Sequence, residues 1–205
     1  MKKTCLCLAL MLSPQAFAGD LVQWWDFSAT ALYGEDYDLA PSDKQTTVTL
    51  ETAGAWKYGD WFAFQDFIYF KGDHTGMDST TYGEISPRFS ASKILGEKIA
   101  FGPITDLSLA LTYEEGEGPV HSLLYGLGVD VAVPYFTYLN FNTYRRDAMS
   151  SGNISDGWQF TPVFRIDIPV GSANIVLDGF IDWVFASDND GYEENFHFNP
   201  QLKYD

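Results

Sequence analysis

Charged side chains recur at every second residue in several segments of this chain, opposite apolar ones. In segment 81–91, Glu84 and Arg88 share one face, whereas Ile85 and Phe89 share the other. Successive side chains of a β-strand point to opposite faces, so this spacing indicates strands with one wet and one apolar side. Groups of this kind form ion pairs and hydrogen bonds. Wet faces also carry Asp130, Arg146, Arg165, Asp167, Asp178, Asp182 and Lys203.

So many charges on strand faces need water or partners. Burying a charge in a dry core is costly unless the charge is paired. A water-filled lumen inside a closed sheet accounts for these charges at little cost. The alternative is a soluble antiparallel sandwich with one solvated face.

Signatures of catalysis are missing from the sequence. It contains no G-x-S-x-G, no P-loop, no G-x-G-x-x-G after a strand and no histidine pair at metal-ligand spacing. The acidic run with Asp188, Asp190, Glu193 and Glu194 is typical of a solvated loop, with calcium binding as the alternative. We therefore predict a protein that is not an enzyme and that uses no cofactor and no resident metal.

The alternating pattern predicts ten strands. The third of them is almost entirely aromatic, so its facing is ambiguous. Connections after odd-numbered strands are polar, mostly acidic and longer, and most of the others are short turns, as in bacterial outer-membrane barrels. This parity predicts a periplasmic N-terminus and outward-facing acidic connections. The predicted strands are 21–33, 46–56, 61–71, 81–91, 107–113, 122–133, 135–146, 158–168, 174–185 and 196–204.

The first eighteen residues have the pattern of a secretory signal peptide. Lys2 and Lys3 precede an apolar run, and Ala16-Phe-Ala18 is an A-x-A cleavage site. Both cysteines, Cys5 and Cys7, would leave with this segment, so the exported chain would have no thiol chemistry. We predict a signal peptide at 1–18 and a single transmembrane β-barrel domain at 19–205.

Composition supports this fold class. With 12 basic against 28 acidic residues, the chain lacks the basic face that a nucleic-acid polymer requires. Aromatic residues make up 17%, and such residues concentrate at membrane–water interfaces. No apolar run long enough for a helical span follows the signal, so a barrel is the main way to cross a membrane. The prediction is an all-β protein, a transmembrane antiparallel β-barrel.

The middle of the chain resembles a known family. The segment GEISPRFSASKILGEKIAFGPITD resembles the signature region of the Tsx-like nucleoside-specific outer-membrane channels, with the same order of an acidic residue, Pro-Arg-Phe-Ser and Phe-Gly-Pro. The segments YGLGVDV, SDGWQFTPVFRIDIPV and LDGFIDWVFASD look like later strands of that family. The resemblance covers most of 24–205 and is most specific in the middle.

The resemblance implies a monomeric barrel of twelve strands in the bacterial outer membrane, surrounded by lipid and inserted by the barrel-assembly machinery. It also implies diffusion of nucleosides and deoxynucleosides through a narrow lumen, with phage or colicin binding at the outer loops of some members. Ten strands are visible here, and the chain stops at Lys203-Tyr-Asp205 without the usual terminal aromatic residue. We therefore expect that the last two strands are missing; a smaller ten-strand closure is the alternative.

A lumen that favours nucleosides needs aromatic faces for the base and polar groups for the sugar. Stacking contributes about 1–3 kcal/mol per base in other proteins, and sites must stay weak so that the solute can leave. The alternative for each polar lumen residue is that it belongs to a network of ion pairs that stabilises the barrel wall and does not contact the solute. A second functional hypothesis is a surface receptor or adhesion protein whose barrel is a scaffold for acidic loops. The lumen candidates are Glu84, Arg88, Asn142, Tyr144, Arg165, Asp167, Asp178, Phe180, Asp182 and Lys203.

Overall fold

The computed structural model describes residues 6–12, 21–37, 41–74 and 76–204. Residues 1–5 and 13–18 of the predicted signal peptide, including its cleavage site, lie outside the described residues.

Within the described residues, eleven strands form one antiparallel sheet in which neighbours along the chain are neighbours in the sheet. The ten predicted strands correspond to β2–β11, while β1 falls inside the predicted signal peptide. The strands are β1 (Leu6–Leu12), β2 (Val22–Glu35), β3 (Ser42–Trp56), β4 (Gly59–His74), β5 (Ser79–Ser90), β6 (Ile104–Gly116), β7 (His121–Val131), β8 (Tyr138–Ala148), β9 (Gly157–Val170), β10 (Ala173–Ser187) and β11 (Asn195–Tyr204).

The sheet curls into a half-barrel with one inner and one outer face. On β6 and β7, Leu109 and Leu127 lie on the outer face and are 50% and 70% exposed, whereas Ala110 and Leu124 lie on the inner face and are buried. Exposed leucines on one face and buried or polar residues on the other fit a wall that contacts lipid outside. In the described part of the chain, backbone pairing leaves β1 and β11 as the two edges of the sheet. The all-β prediction is confirmed.

Strand β1 occupies one edge of β2. Its residues Leu6–Leu12 pair in antiparallel register with 27–33 of β2. Cleavage at the predicted site would therefore take this strand away from β2.

Several strands run further than predicted. Strand β4 continues to His74, β5 begins at Ser79, and β6 continues through Glu114, beyond the end of the predicted strand 107–113. Polar side chains do not end these strands, because backbone hydrogen bonds between neighbouring strands can continue where the side chains reach water. At the opposite end, residues 135–137 were predicted as strand but lie in a connection, where Tyr135 has a positive φ of 74°. This conformation is incompatible with an extended strand.

The described residues of five connections lie at one end of the sheet, called the outer end here: 36–37 with 41, 76–78, 117–120, 149–156 and 188–194. Connections 57–58, 91–103, 132–137 and 171–172 lie at the inner end. The longest of the inner connections joins β5 to β6, in agreement with the long gap between the predicted strands 81–91 and 107–113.

That connection begins with a short helix, α1 (Ala91–Leu95). The Ser90 hydroxyl accepts a hydrogen bond from the Lys93 backbone N–H at 3.1 Å, and Gly96 ends the helix in the left-handed conformation that glycine adopts readily. The Lys93 ammonium donates to Gln23 Oε1 at 3.0 Å, to the Trp56 carbonyl at 3.0 Å and to the Gly59 carbonyl at 2.8 Å. The helix thereby ties the inner ends of β2, β3 and β4 together. No helix among the described residues has the length and apolarity needed to cross a bilayer.

Candidate functional site

All ten predicted lumen candidates lie on the inner face of the curled sheet. Strand alternation places them there, together with the buried residues of β6, β7 and β8. They do not form a single site, however. They separate into an outer cluster, an inner cluster and two ion pairs on β9–β11.

The outer cluster is built around Arg146, which is a residue of β8. Its guanidinium holds the Glu114 carboxylate with two hydrogen bonds, Nη1 to Oε1 at 2.9 Å and Nη2 to Oε2 at 2.6 Å. Nη1 also donates to Gln159 Oε1 at 2.5 Å. The amide of Gln159 and the hydroxyl of Thr161 each donate to Asp182 Oδ1 at 2.8 Å. A bidentate arginine–carboxylate pair of this kind is strong and directional.

The inner cluster is built around Arg88, which is a residue of β5. Its guanidinium is paired with Asp130 and lies 3.5 Å from Asp60 Oδ2. Asn142 lies beside it: a side chain on Gly128 would place a Cβ 2.6 Å from Asn142 Oδ1 and 3.1 Å from Arg88 Nη2. Gly128 therefore leaves the space that these two polar groups occupy. Tyr144, which is two residues after Asn142 on β8, is buried against Ala110 and Leu124.

Four further predicted charges form two pairs. On β9, Arg165 Nη2 donates to Asp167 Oδ1 at 2.8 Å, and both side chains are about one-third exposed. Lys203 Nζ lies 2.9 Å from Asp178 Oδ2. Phe180 on β10 makes an edge contact with the His197 ring at 5.6 Å between centroids.

An aromatic strip, defined here as Phe62, Phe64 and Tyr82, lies on the inner face next to the outer cluster. The ring centroids of Phe62 and Phe64 are 5.9 Å apart, and those of Phe64 and Tyr82 are 5.8 Å apart. The Tyr82 hydroxyl donates to Glu84 Oε1 at 2.6 Å, and Glu84 is directly opposite Glu114 in the β5–β6 ladder. The strip thus adjoins the charged cluster.

Sequence alternation did not indicate the strip, and Asp182 was the only candidate within the outer cluster. Phe62 and Phe64 were missed because β4 has aromatic residues on both faces. Asp66 is on the same face as these two rings, so its charge could have identified that face as the inner one. In the structure, the Thr49 hydroxyl of β3 donates to Asp66 at 2.5 Å. Glu114 was missed because it was assigned to a loop. Arg146 was recognised as a wet-face residue but was not chosen as a candidate.

A cavity of about 400 Å³ opens at the outer end of the inner face. Its floor includes Glu114, Arg146 and Asp182, and its sides are completed by three outer connections. Those connections contribute Pro119, Val120, Gly152, Asn153, Ile154, Ser155 and Tyr192. Among the described residues, no group of three or more His, Cys, Asp or Glu side chains is arranged to hold a metal ion.

A curled antiparallel sheet with an apolar outer face and a charged, hydrogen-bonded inner face defines a membrane β-barrel with a polar lumen. Comparison with known sequences is consistent with this class. The family model described as "Nucleoside-specific channel-forming protein, Tsx" matches residues 22–200. The chain therefore belongs to this family, and it is a protein of the bacterial outer membrane. The family is one of channel-forming proteins and not an enzyme family.

Individual relatives are similar over most of their length. The chain is 28% identical to the nucleoside-specific channel-forming protein Tsx of Klebsiella aerogenes, over 92% of this chain and 74% of that protein. It is 27% identical to Tsx of Salmonella typhimurium, over 92% and 76% respectively. It is 24% identical to the outer membrane protein OmpK of Vibrio parahaemolyticus, over 91% and 77%. The names of these relatives favour a channel over the receptor scaffold.

Proposed function

We propose that this protein is an outer-membrane channel through which nucleosides and deoxynucleosides diffuse. The observation that carries the proposal is the aromatic strip lying beside the outer charged cluster on the lumen face. A nucleoside joins a flat base to a sugar rich in hydroxyls. A base stacked on the strip would bring its sugar towards the carboxylates and guanidinium of Glu84, Glu114 and Arg146.

Each contact in such a lumen must be weak. Stacking on one aromatic side chain contributes about 1–3 kcal/mol, which is enough to favour a nucleoside over a sugar without trapping it. Conduction requires binding that allows release. Most lumen carboxylates are already engaged by protein donors, as Asp182 is by Gln159 and Thr161. They would therefore exchange hydrogen bonds with a solute without forming a tight complex.

The polypeptide has two parts in this proposal. Residues 1–18 are a signal peptide, and the residues after it form one transmembrane barrel domain. The ten predicted candidates line the lumen, and the protein moves solutes without catalysing a reaction. It acts as a monomer in outer-membrane lipid after insertion by the barrel-assembly machinery, and its exposed acidic outer connections are available to phage or colicin.

The test is swelling of liposomes that contain the purified, heat-modifiable protein. Adenosine and thymidine are compared with sugars and amino acids of similar size. We expect faster uptake of the nucleosides. Equal rates for all solutes would indicate a general pore, and no uptake by a folded protein would indicate the receptor scaffold.

Two lumen variants sharpen this test. Asp182→Ala and Arg165→Ala each remove a polar group from the inner face, and we expect each to slow nucleoside uptake while leaving sugar uptake nearly unchanged. Thr143→Ala is the control, because Thr143 lies on the outer face of β8 opposite Leu127. If all three variants matched the wild type, the proposed lumen contacts would be wrong even if the channel itself were real.

A further inference from the structure

The outer connection 149–156, between β8 and β9, differs in its burial from the two outer connections that flank it, 117–120 and 188–194. Ser155 within it is only 8% exposed. All of 117–120 and nearly all of 188–194 are exposed. Connection 149–156 is therefore held against the barrel at Ser155, although residues such as Met149 remain exposed.

Two side chains fix it to the adjacent wall. Asn153 Nδ2 donates to the His121 carbonyl at 2.6 Å and to Ser122 Oγ at 3.0 Å. The same side chain shapes the connection itself, because Asn153 Oδ1 accepts from the Ser155 backbone N–H at 3.0 Å. The hydroxyls of Ser122 and Ser155 are 3.0 Å apart. Ser122 is 1% exposed, so these contacts are made inside the outer opening of the lumen, called the mouth here, and not at its solvent-exposed edge.

The connection is also attached to the lumen cluster. Arg146 Nε donates to the Ser155 carbonyl at 3.2 Å, while the other guanidinium nitrogens hold Glu114 and Gln159. A planar guanidinium presents its donors in a fixed fork, so the position of Ser155 is coupled to that of Glu114.

Two neighbouring connections complete the enclosure. Ser150 Oγ donates to the Pro119 carbonyl at 2.5 Å. On the other side, the Ile154 side chain lies so close to Gly191 that a Cβ there would be 3.1 Å from Ile154 Cδ1. Connection 149–156 thus spans from the connection before β7 to the connection before β11.

We propose that connection 149–156 is a fixed mouth filter that forms one wall of the first binding site met by a nucleoside from outside. This inference rests on the proposed function. The cavity beneath it, about 400 Å³, falls in the range of about 300–1,000 Å³ seen for small-molecule sites. Its lining combines the Tyr82 and Tyr192 rings with the Asp182 carboxylate. This set suits an uncharged solute that has one flat face and several hydroxyl groups.

The filter acts by shape, so its anchors are positioning residues. Releasing the connection should widen the mouth, admit larger solutes and reduce the preference for nucleosides. Swelling assays with the full protein compare wild type, Asn153→Ala and Asn189→Ala, using thymidine, a hexose and a trisaccharide. Asn189 is the matched control, since its side chain caps only its own connection at Gly191.

We expect Asn153→Ala to give a several-fold rise in trisaccharide uptake and a smaller ratio of thymidine to hexose uptake, with Asn189→Ala unchanged. Ser155→Ala should give the same change to a lesser degree, and heat-modifiable migration shows that each variant is folded. If folded Asn153→Ala excluded the trisaccharide as the wild type does, the filter would be refuted. A wild type that does not prefer thymidine to hexose would instead refute the proposed function, while the trisaccharide comparison would still test the filter.

A cysteine pair decides whether the filter is fixed. Ser122→Cys with Ser155→Cys places two thiols where hydroxyls now lie 3.0 Å apart. We expect thymidine uptake to be equal in the oxidised and reduced protein, because the connection already occupies this position. A strong loss of uptake on oxidation, reversed by reductant, would show that the connection must move and would overturn a fixed filter.

Discussion

The wall formed by β2–β4 and the wall formed by β5–β9 belong to one sheet but carry different lumen faces. Strands β5–β8 carry the bidentate Arg146–Glu114 pair and the Arg88–Asp130 pair, and each of these pairs links two strands. On β4, the lumen face presents Phe62 and Phe64. The difference separates two tasks, because paired charges hold strands in register whereas unpaired aromatic faces remain available to a solute. Mutations in the charged wall should therefore cost more stability than those in the aromatic wall, whereas mutations in the aromatic wall should cost more of the preference for nucleosides.

The largest effect is expected for Arg146→Ala. Its side chain is 7% exposed, and its removal leaves the Glu114 carboxylate, which is 9% exposed, without its partner. Breaking a buried ion pair in this way costs about 3–5 kcal/mol. The free energy of unfolding in detergent micelles, followed by heat-modifiable migration against urea, measures it.

The neighbouring Arg145 is the matched control. It is 27% exposed and pairs with Asp188, which is 49% exposed, so Arg145→Ala should cost less than about 1 kcal/mol. Arg146→Ala combined with Glu114→Ala should recover part of the loss, because no orphan charge remains. If Arg146→Ala and Arg145→Ala lowered the free energy of unfolding equally, the buried charge pair would not be what stabilises this wall.

A smaller change in stability but a clear change in permeation is expected for Phe64→Ala. Loss of one stacking surface removes about 1–3 kcal/mol of binding to a base, so the preference for thymidine over a hexose should fall about fivefold or more. Phe164→Ala is the control, because Phe164 contacts Phe198 on the outer face. A Phe64 variant that kept its preference would show that the strip does not touch the solute.

The smallest effect on stability and permeation is expected for Tyr82→Phe, at the boundary between the two walls. Tyr82→Phe keeps the ring of the strip and removes the hydroxyl that donates to Glu84 at 2.6 Å. The free energy of unfolding should fall by about 1 kcal/mol, the usual net value of one hydrogen bond, with nucleoside preference retained. Tyr82→Ala, which also loses the ring, should reduce that preference. If both variants reduced it equally, the hydroxyl and not the ring would be the recognising group.

Alternation in the sequence was sufficient to predict strands β2–β11, because the period of two marks strands directly. It placed Arg88, Asp178 and Asp182 correctly on the inner face. It could not predict which charges pair, since partners such as Arg88 and Asp130 come from strands that are not adjacent in the sheet and meet only when it curls. Strand ends were also missed, as at Glu114, because a water-facing strand need not become apolar to continue.

The helix α1 also bears on the order of folding. In this sheet each strand pairs with the next along the chain, so the backbone ladders close short loops, which form quickly. The contact from Lys93 to Gln23 instead spans 70 residues, and it can form only after three hairpins stand side by side. The Lys93 contacts should therefore form in a late folding step, in which the paired hairpins curve into the half-barrel and the inner ends of β2, β3 and β4 become linked.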